Sequence, residues 1–288
     1  MLEVLKHHGP ARLGIFHLGD KEIRTPALLS LTIDQPFGPE LSISDGSTDI
    51  TDLGSLLLPR EVRAFGILPD LAVGLRVPRR LAEEAVEATL AHAVNYPGQG
   101  AVVVGSRYLD LRLRCARALV DRPLLAIADG SKLLENPRLL VEVVTGVREV
   151  ASPNTALYFP GAYPNLFPLL AYMGVDLFDT LQCLMEAARS RLLTPQGPRQ
   201  VQGMEELPCQ CTACAGKGPK DMGYREITDH NLYSALQAVR EVRDGIRHGT
   251  LRNLVEERAS ADVRAMAALR ILDREKGAFL ERYTAVGT

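Results

Sequence analysis

From about residue 65 onward, short unbroken apolar runs alternate with stretches whose apolar residues recur at helical spacing. The clearest run is Gly100-Ala101-Val102-Val103-Val104-Gly105, apolar on both faces, as a strand buried between two layers must be. Leu111 to Val120 then reads as a helix, and Pro123-Leu124-Leu125-Ala126-Ile127-Ala128 as a strand closed by Asp129-Gly130. The same rhythm gives a helix over Pro137 to Glu149, a strand over Thr155 to Phe159 ended by Pro160-Gly161, a helix over Leu166 to Met173 and a strand over Gly174 to Asp179. Upstream, Pro78 to Ala93 places Leu81, Ala85, Ala88 and Ala93 among glutamates, an amphipathic helix opened by proline. Such alternation is the signature of βα units around a parallel sheet.

After Asp179 the pattern changes. Glu186 to Leu193 is expected to be helical, Thr194-Pro195-Gln196-Gly197-Pro198 is a turn-rich break, and a polar, Gly-rich excursion runs on to Tyr224. Helices are expected again over Asn231 to His248 and Val263 to Arg282. With 288 residues and 46% hydrophobic content the chain can fill one large α/β barrel or two smaller domains, and one domain with an excursion is the simpler reading. A formal charge of -2 means that contact with a polyanion has to come from a local patch. No apolar stretch reaches the roughly 20 residues of a membrane span. The N-terminus MLEVLKHHGPARLG lacks the apolar core of a signal peptide, so a cytoplasmic, membrane-free protein is expected.

Three of the five cysteines fall within Cys209-x-Cys211-x-x-Cys214. Thiolates at this spacing converge from one tight loop on a zinc ion, which takes four soft or borderline ligands in a tetrahedron. His230, at an expected helix start, is the best fourth ligand, and a set of three Cys and one His leaves no open position, which makes the ion structural. The competing reading is a cluster of free thiols. Cys115 and Cys183 read as ordinary buried thiols.

In parallel barrels, chemistry collects at the C-terminal ends of the strands. Asp176 and Asp179 stand at such an end, and either one is a candidate nucleophile, although helix caps look the same in a sequence. Asp70 follows the apolar run Phe65 to Leu68 and sits where another strand should stop, while Asp129-Gly130-Ser131 is compatible with a plain turn.

Several of these segments, in order, resemble one family. Gly174-Val175-Asp176-Leu177-Phe178-Asp179 followed by Ala187-Ala188-Arg189-Ser190-Arg191-Leu192-Leu193-Thr194-Pro195-Gln196-Gly197 is similar to the nucleophile stretch of tRNA-guanine transglycosylases, the archaeal ones especially. Leu207-Pro208-Cys209-Gln210-Cys211-Thr212-Ala213-Cys214 with His230-Asn231-Leu232-Tyr233 resembles the family's zinc signature. Val104 to Arg112 and Tyr158 to Ala162 match other family strands, and Leu254 to Arg258, Leu272 to Glu275 and Tyr283 to Val286 look closer to archaeosine synthase.

The resemblance implies an α/β fold, a (β/α)8 TIM-like barrel with a small zinc-binding subdomain. Residues 1–200 would form the main part of the barrel, 201–234 the zinc subdomain and 235–288 the C-terminal helices completing the barrel. It implies a tRNA-modification protein that binds a 7-deazaguanine (preQ0-type) base in tRNA as one subunit of an archaeosine synthase, with a structural Zn2+ held by Cys209, Cys211, Cys214 and His230. The alternatives are an active transglycosylase that exchanges guanine through a covalent Asp179 intermediate, and a non-catalytic tRNA-binding partner subunit. Asp179 falls on the catalytic nucleophile, Asp70 on the aspartate that reads the base edge, and Gly105, Gly130 and Ser131 on the loops of the base pocket. A homodimer or a heteromer is implied, with further RNA-binding or catalytic domains supplied by another chain.

This chain also departs from the family pattern. Val104 stands where the family has a hydrogen-bonding glutamine, Asp129-Gly130 replaces a Gly-Gly turn, and only Ser44-Asp45-Gly46 remains of a second aspartate motif in a shortened segment. Arg189, Arg191 and Arg199, and Arg240, Arg243 and Arg247, are candidates for phosphate contact, each set also readable as a solvated face.

Overall fold

Strands that are apolar on both faces need cover on both sides, and the chain supplies it. The computed structural model describes residues 1–18, 21–32, 40–43, 48–52, 55–57 and 65–282. Ser44-Asp45-Gly46 lies outside the described residues. The chain opens with three antiparallel strands, β1 (Leu2–His8), β2 (Ala11–Leu18) and β3 (Lys21–Thr25), in which alternate residues of β2, among them Phe16 and Leu18, turn inward. This small sheet has no counterpart among the expected elements.

A second sheet takes in β4 (Ala27–Thr32), β5 (Glu40–Ile43), β6 (Thr48–Asp52) and β7 (Gly66–Ile67). The chain continues through α1 (Arg79–Ala93), β8 (Ala101–Val103), α2 (Leu109–Ala118), β9 (Leu124–Ile127), α3 (Gly130–Leu133) and α4 (Pro137–Val150). It then adds β10 (Ala156–Tyr158), α5 (Phe167–Tyr172), β11 (Leu177–Asp179) and α6 (Leu181–Ala188). The sheet order is β7-β6-β5-β4-β11-β10-β9-β8, and every pairing is parallel except the two made by β5. The strands at the two ends of that order also meet. Gly100 N–H donates to Gly66 O at 3.0 Å and Leu68 N–H to Gly100 O at 2.9 Å, across a parallel bridge between Ile67 and Gly100.

β8, β9, β10 and β11 are buried throughout, as their unbroken apolar runs require. The covering helices start where the sequence offers caps. Asn136 accepts from Leu139 N–H ahead of α4, with Pro137 at the first position, where its missing N–H is harmless. α1 buries Ala82, Ala85, Val86, Thr89 and Ala93 and leaves Leu81 exposed, so its inner face is rotated from the one expected.

Beyond α6 come the hairpin β12 (Arg191–Thr194) and β13 (Gly197–Gln200), then α7 (Tyr224–His248), α8 (Leu251–Ser260), α9 (Val263–Glu275) and α10 (Gly277–Glu281). Three expectations are corrected. The helix predicted over Glu186 to Leu193 ends at Ala188, because Ser190 takes a left-handed φ of 56° and the chain turns into β12. α7 starts at Tyr224 and not at Asn231, its first turn closed by Gly223 N–H donating to the Glu226 carboxylate at 3.1 Å. The last helical stretch is broken at Lys276, and α8, not anticipated, precedes it. One continuous core joins both sheets with the inner faces of α1, α2, α4, α5 and α7 to α9, and a second, smaller core gathers Ala187, Leu192, Val201, Ala213, Met222 and Ile227 around the cysteines.

Candidate active site and metal centre

Because β8 to β11 run parallel, with Val103 beside Ile127, Ala126 beside Tyr158 and Tyr158 beside Leu177, their C-terminal ends open at one edge of the sheet. Asp179 closes β11 there, Ser106 and Asp129-Gly130-Ser131 follow β8 and β9, and Asp70 lies three residues past the end of β7. The edge therefore gathers the candidates that the sequence scatters over more than a hundred positions.

The two aspartates near β11 separate cleanly. Asp176, before the strand, is fully buried and takes a bidentate pair of bonds from Arg12, Nε and Nη2 each at 2.7 Å, plus the Leu157 N–H at 2.7 Å. Arg12 also caps the carbonyls of Pro153 and Thr155, so this pair ties β2 to the underside of the sheet. Asp179 is at the other end of the strand and 2% exposed. Its Oδ2 accepts from the Tyr158 hydroxyl at 2.7 Å and the Gly161 N–H at 2.7 Å, and its Oδ1 accepts from the Leu181 N–H at 2.8 Å. That last bond starts α6 seven residues before position 188, where the helix ends.

A cavity of about 180 Å³ opens at this edge, lined by Asp70, Asp129 and Tyr158 over apolar walls that include Ile67, Val102 and Pro160. Tyr158 links the two features: it lines the cavity and its hydroxyl holds Asp179. Of the residues expected around a base, Asp70 reaches the cavity lining, while Gly105, Gly130 and Ser131 are not part of it. Gly105 has φ 147°, and a side chain there would stand 2.6 Å from the Arg112 backbone nitrogen. At Gly130 a side chain would collide with the Pro160 carbonyl, and Ser131 packs against Gly161. These residues shape the loops by allowing close approach. Val104 is buried and outside the lining.

Sequence reasoning singled out neither Tyr158 nor Arg112 as a part of this edge, and it read Asp129 only as a turn residue. Tyr158 and Asp129 follow the same strand-end rule that flagged Asp179. Arg112 is fully buried on α2, with Nε donating to Ser106 O at 2.7 Å and Nη1 to the Val103 and Ala128 carbonyls at 3.2 and 3.0 Å, so one side chain pins two loops. Burial pulls its guanidinium down to about 10, partly offset by Asp129.

The cysteine cluster lies beyond α6. The ligand atoms of Cys209, Cys211, Cys214 and His230 all lie within 4.8 Å of one another, and His230 Nδ1 is 3.6 Å from Cys211 Sγ and 3.2 Å from Cys214 Sγ. Ligands about 2.0–2.3 Å from one tetrahedral ion stand roughly 3.3–3.8 Å apart, so the spacing fits a metal. His230 Nε2 is 3.0 Å from the Leu193 carbonyl, a bond that puts the proton on Nε2 and turns the Nδ1 lone pair towards the sulfurs. Burial lowers the His230 pKa, which favours the neutral ligand form, and burial with neighbouring thiols pushes Cys214 up to about 12 where no ion compensates. His230 lies in the second turn of α7 rather than at a helix start, yet still faces the loop, and Asn231 beside it bonds Leu193 N–H and the Cys183 and Arg191 carbonyls. The Cys3His cluster is thereby tied to α6, the helix that Asp179 starts. Cys115 and Cys183 are buried free thiols, both pushed upward by burial, Cys115 to about 11.

A larger cleft of about 370 Å³ lies beside His230, lined by Asn165, Thr194, Tyr233 and the Glu241–Arg258 pair, 2.6 Å apart. That ion pair is already closed, and Asp179 and Asp70 are not among the described residues lining the cleft. The arginines divide. Arg189 and Arg191 are partly exposed and pair with the buried Glu186 at 2.7 and 3.4 Å. Arg243 binds the Pro26 and Arg24 carbonyls, at the start of β4 and so at the end of the sheet opposite Asp179.

A mostly parallel α/β sheet with carboxylates at its C-terminal edge and an adjoining Cys3His cluster is thus in place. The family model described as queuine tRNA-ribosyltransferase matches residues 74–263, and the chain belongs to this tRNA-guanine transglycosylase family. It is similar to a protein named tRNA-guanine(15) transglycosylase from Methanothermobacter thermautotrophicus, 31% identical over 94% of this chain and 52% of the relative. Proteins of the same name from Pyrococcus furiosus (29% identical, 93% of this chain, 50% of the relative) and Methanopyrus kandleri (30%, 76% and 51%) are also similar. The chain spans about half the length of these curated relatives. No described helix is long and apolar enough to cross a membrane.

Proposed function

We propose that this chain binds a 7-deazaguanine-type base of tRNA in the cavity at the sheet edge and acts in tRNA modification, with Asp179 as the group that meets the ribose. The observation that carries this reading is the hydrogen bond between Tyr158, a wall of the cavity, and Asp179. A base seated against Asp70, whose carboxylate accepts from a guanine-like ring N–H and exocyclic amine, would bring its anomeric carbon towards Asp179. In exchange, an Asp179 oxygen forms a bond to C1′ as the C1′–N9 bond breaks, and its electron pair leaves on guanine, which takes up a proton. The incoming base loses its N9 proton, bonds C1′ and releases Asp179. Tyr158, Gly161 and Leu181 orient the carboxylate throughout.

Three further parts belong to the proposal. The ring of strands joined at Gly66 and Gly100 corresponds to the family's barrel. The ion at the four ligands is zinc with a structural role, and residues 201–234 form its subdomain between 1–200 and 235–288. Archaeosine formation, a dimer or a partner chain, and a cytoplasmic setting are inferred from the resemblance and from the relatives' printed name.

A second reading, an archaeosine synthase-like or non-catalytic subunit, is favoured by one observation. Both oxygens of the Asp179 carboxylate are engaged by donors, and the side chain is 2% exposed. Incubation of the chain with tRNA and labelled guanine or 7-cyano-7-deazaguanine separates the two. Incorporation of label supports the exchange reading, and base binding without incorporation supports the second.

A further inference from the structure

We infer that Asp129 is a second recognition carboxylate of the cavity, selecting a 7-deazaguanine whose seven-position arm is a cation, an ammonium or amidinium, over one whose arm is neutral. The inference rests on the base-pocket reading above. Among the described side chains lining the cavity, the polar ones are Asp70, Asp129 and Tyr158, and none of these three carries a nitrogen donor. The Tyr158 hydroxyl donates its hydrogen bond to Asp179, so it offers the cavity no donor. A ligand is therefore matched in proportion to the donors it presents, and a nitrile, an acceptor only, opposes a carboxylate.

The placement of Asp129 is built into the fold. It holds a left-handed φ of 60° while its carbonyl accepts the Lys132 and Leu133 N–H groups that start α3. Behind it, the fully buried Arg112 brings Nη2 to 3.7 Å from Asp129 Oδ2, and that nitrogen has no hydrogen-bond partner among the described residues. A buried guanidinium thus backs the carboxylate from behind, and Asp129 itself lines the cavity. On the outer side Lys132 Nζ stands 3.1 Å from Oδ1, on a side chain 58% exposed, which an arriving cation can replace. The sequence is consistent with a changed pocket edge, since Asp129-Gly130 stands where the resemblance places a Gly-Gly turn.

Calorimetric titration of the full chain with 7-aminomethyl-7-deazaguanine, 7-cyano-7-deazaguanine and guanine tests the inference. The aminomethyl base is expected to bind tighter than the cyano base by about tenfold or more, the range of a hydrogen bond to a charged group. Asp129→Asn is expected to bring that ratio close to one while Asp70→Asn weakens all three bases. Lys132→Met, an exposed change that keeps the fold, should strengthen the aminomethyl base severalfold and leave the cyano base unchanged, which carries the test if Asp129→Asn does not fold. Equal binding of the two bases, a preference that survives in folded Asp129→Asn, or no response to Lys132→Met overturns the inference. Binding of none of the three bases overturns the base-pocket reading itself, and this inference with it.

Discussion

The Tyr158 hydroxyl donates to Asp179 Oδ2 at 2.7 Å, so the wall of the cavity and the carboxylate beyond it are oriented by one bond. Tyr158→Phe removes the donor and keeps the ring. The variant should lose about 1–2 kcal/mol of stability and slow base exchange roughly tenfold, with metal content unchanged. A double-mutant cycle with Asp179→Asn should show coupling of at least about 0.5 kcal/mol in melting experiments; additive effects would mean that the bond does not orient the carboxylate.

Asp176 and Asp179 sit three residues apart but do different work. Asp176→Ala strands the buried Arg12 and should cost about 3–5 kcal/mol, read as a lowered urea midpoint. Residual folded protein should retain base binding. Asp179→Asn, by contrast, should leave the melting temperature within a few degrees while abolishing exchange by about 10³-fold or more.

Metal removal should act first on the smaller core. The ligands draw together the loop at 209–214 and α7, and the residues packed around them, Leu192, Val201, Met222 and Ile227, form a cluster apart from the main core. One equivalent of zinc is expected by elemental analysis. Chelation, or Cys214→Ser, should raise proteolytic cleavage between residues 200 and 223 before the sheet unfolds, and a melting curve indifferent to chelator would count against a structural ion.

Much of this architecture was legible because burial on two faces leaves a continuous apolar run, as at Val102-Val103 and Leu124-Leu125-Ala126-Ile127. The Cys3His cluster was legible because thiolates that are to share one ion from one loop must be close in sequence. What the pattern did not reveal was set by tertiary contacts. β12 carries Leu192 and Leu193 side by side, which reads as helix until Ser190 turns left-handed and Asn231 claims the Leu193 N–H. The inner face of α1 is chosen by small residues, Ala82 and Ala85, that carry little hydrophobic signal. Nothing local in the sequence separates Asp176 from Asp179 either. Arg12, 164 positions away, does that.

Thiol reactivity follows burial. Cys115 and Cys183 are buried and pushed upward in pKa, Cys115 to about 11, so little thiolate exists near pH 8 and iodoacetamide should leave both untouched in the folded protein. Cys209, half-buried, should be the first alkylated once metal is withdrawn, as peptide mass mapping would show. Early labelling of Cys183 would contradict the packing of α6 on α7.

The base-handling role proposed for the sheet edge meets its most direct test in trapping. Unmodified tRNA is incubated with the chain, the mixture is resolved on a denaturing gel, and any retarded band is digested and mapped by mass spectrometry. The account predicts a covalent protein–tRNA band whose ribose is attached at Asp179, present in Asp176→Asn and absent in Asp179→Asn. An adduct that persists in Asp179→Asn, or that maps to another residue, would contradict it.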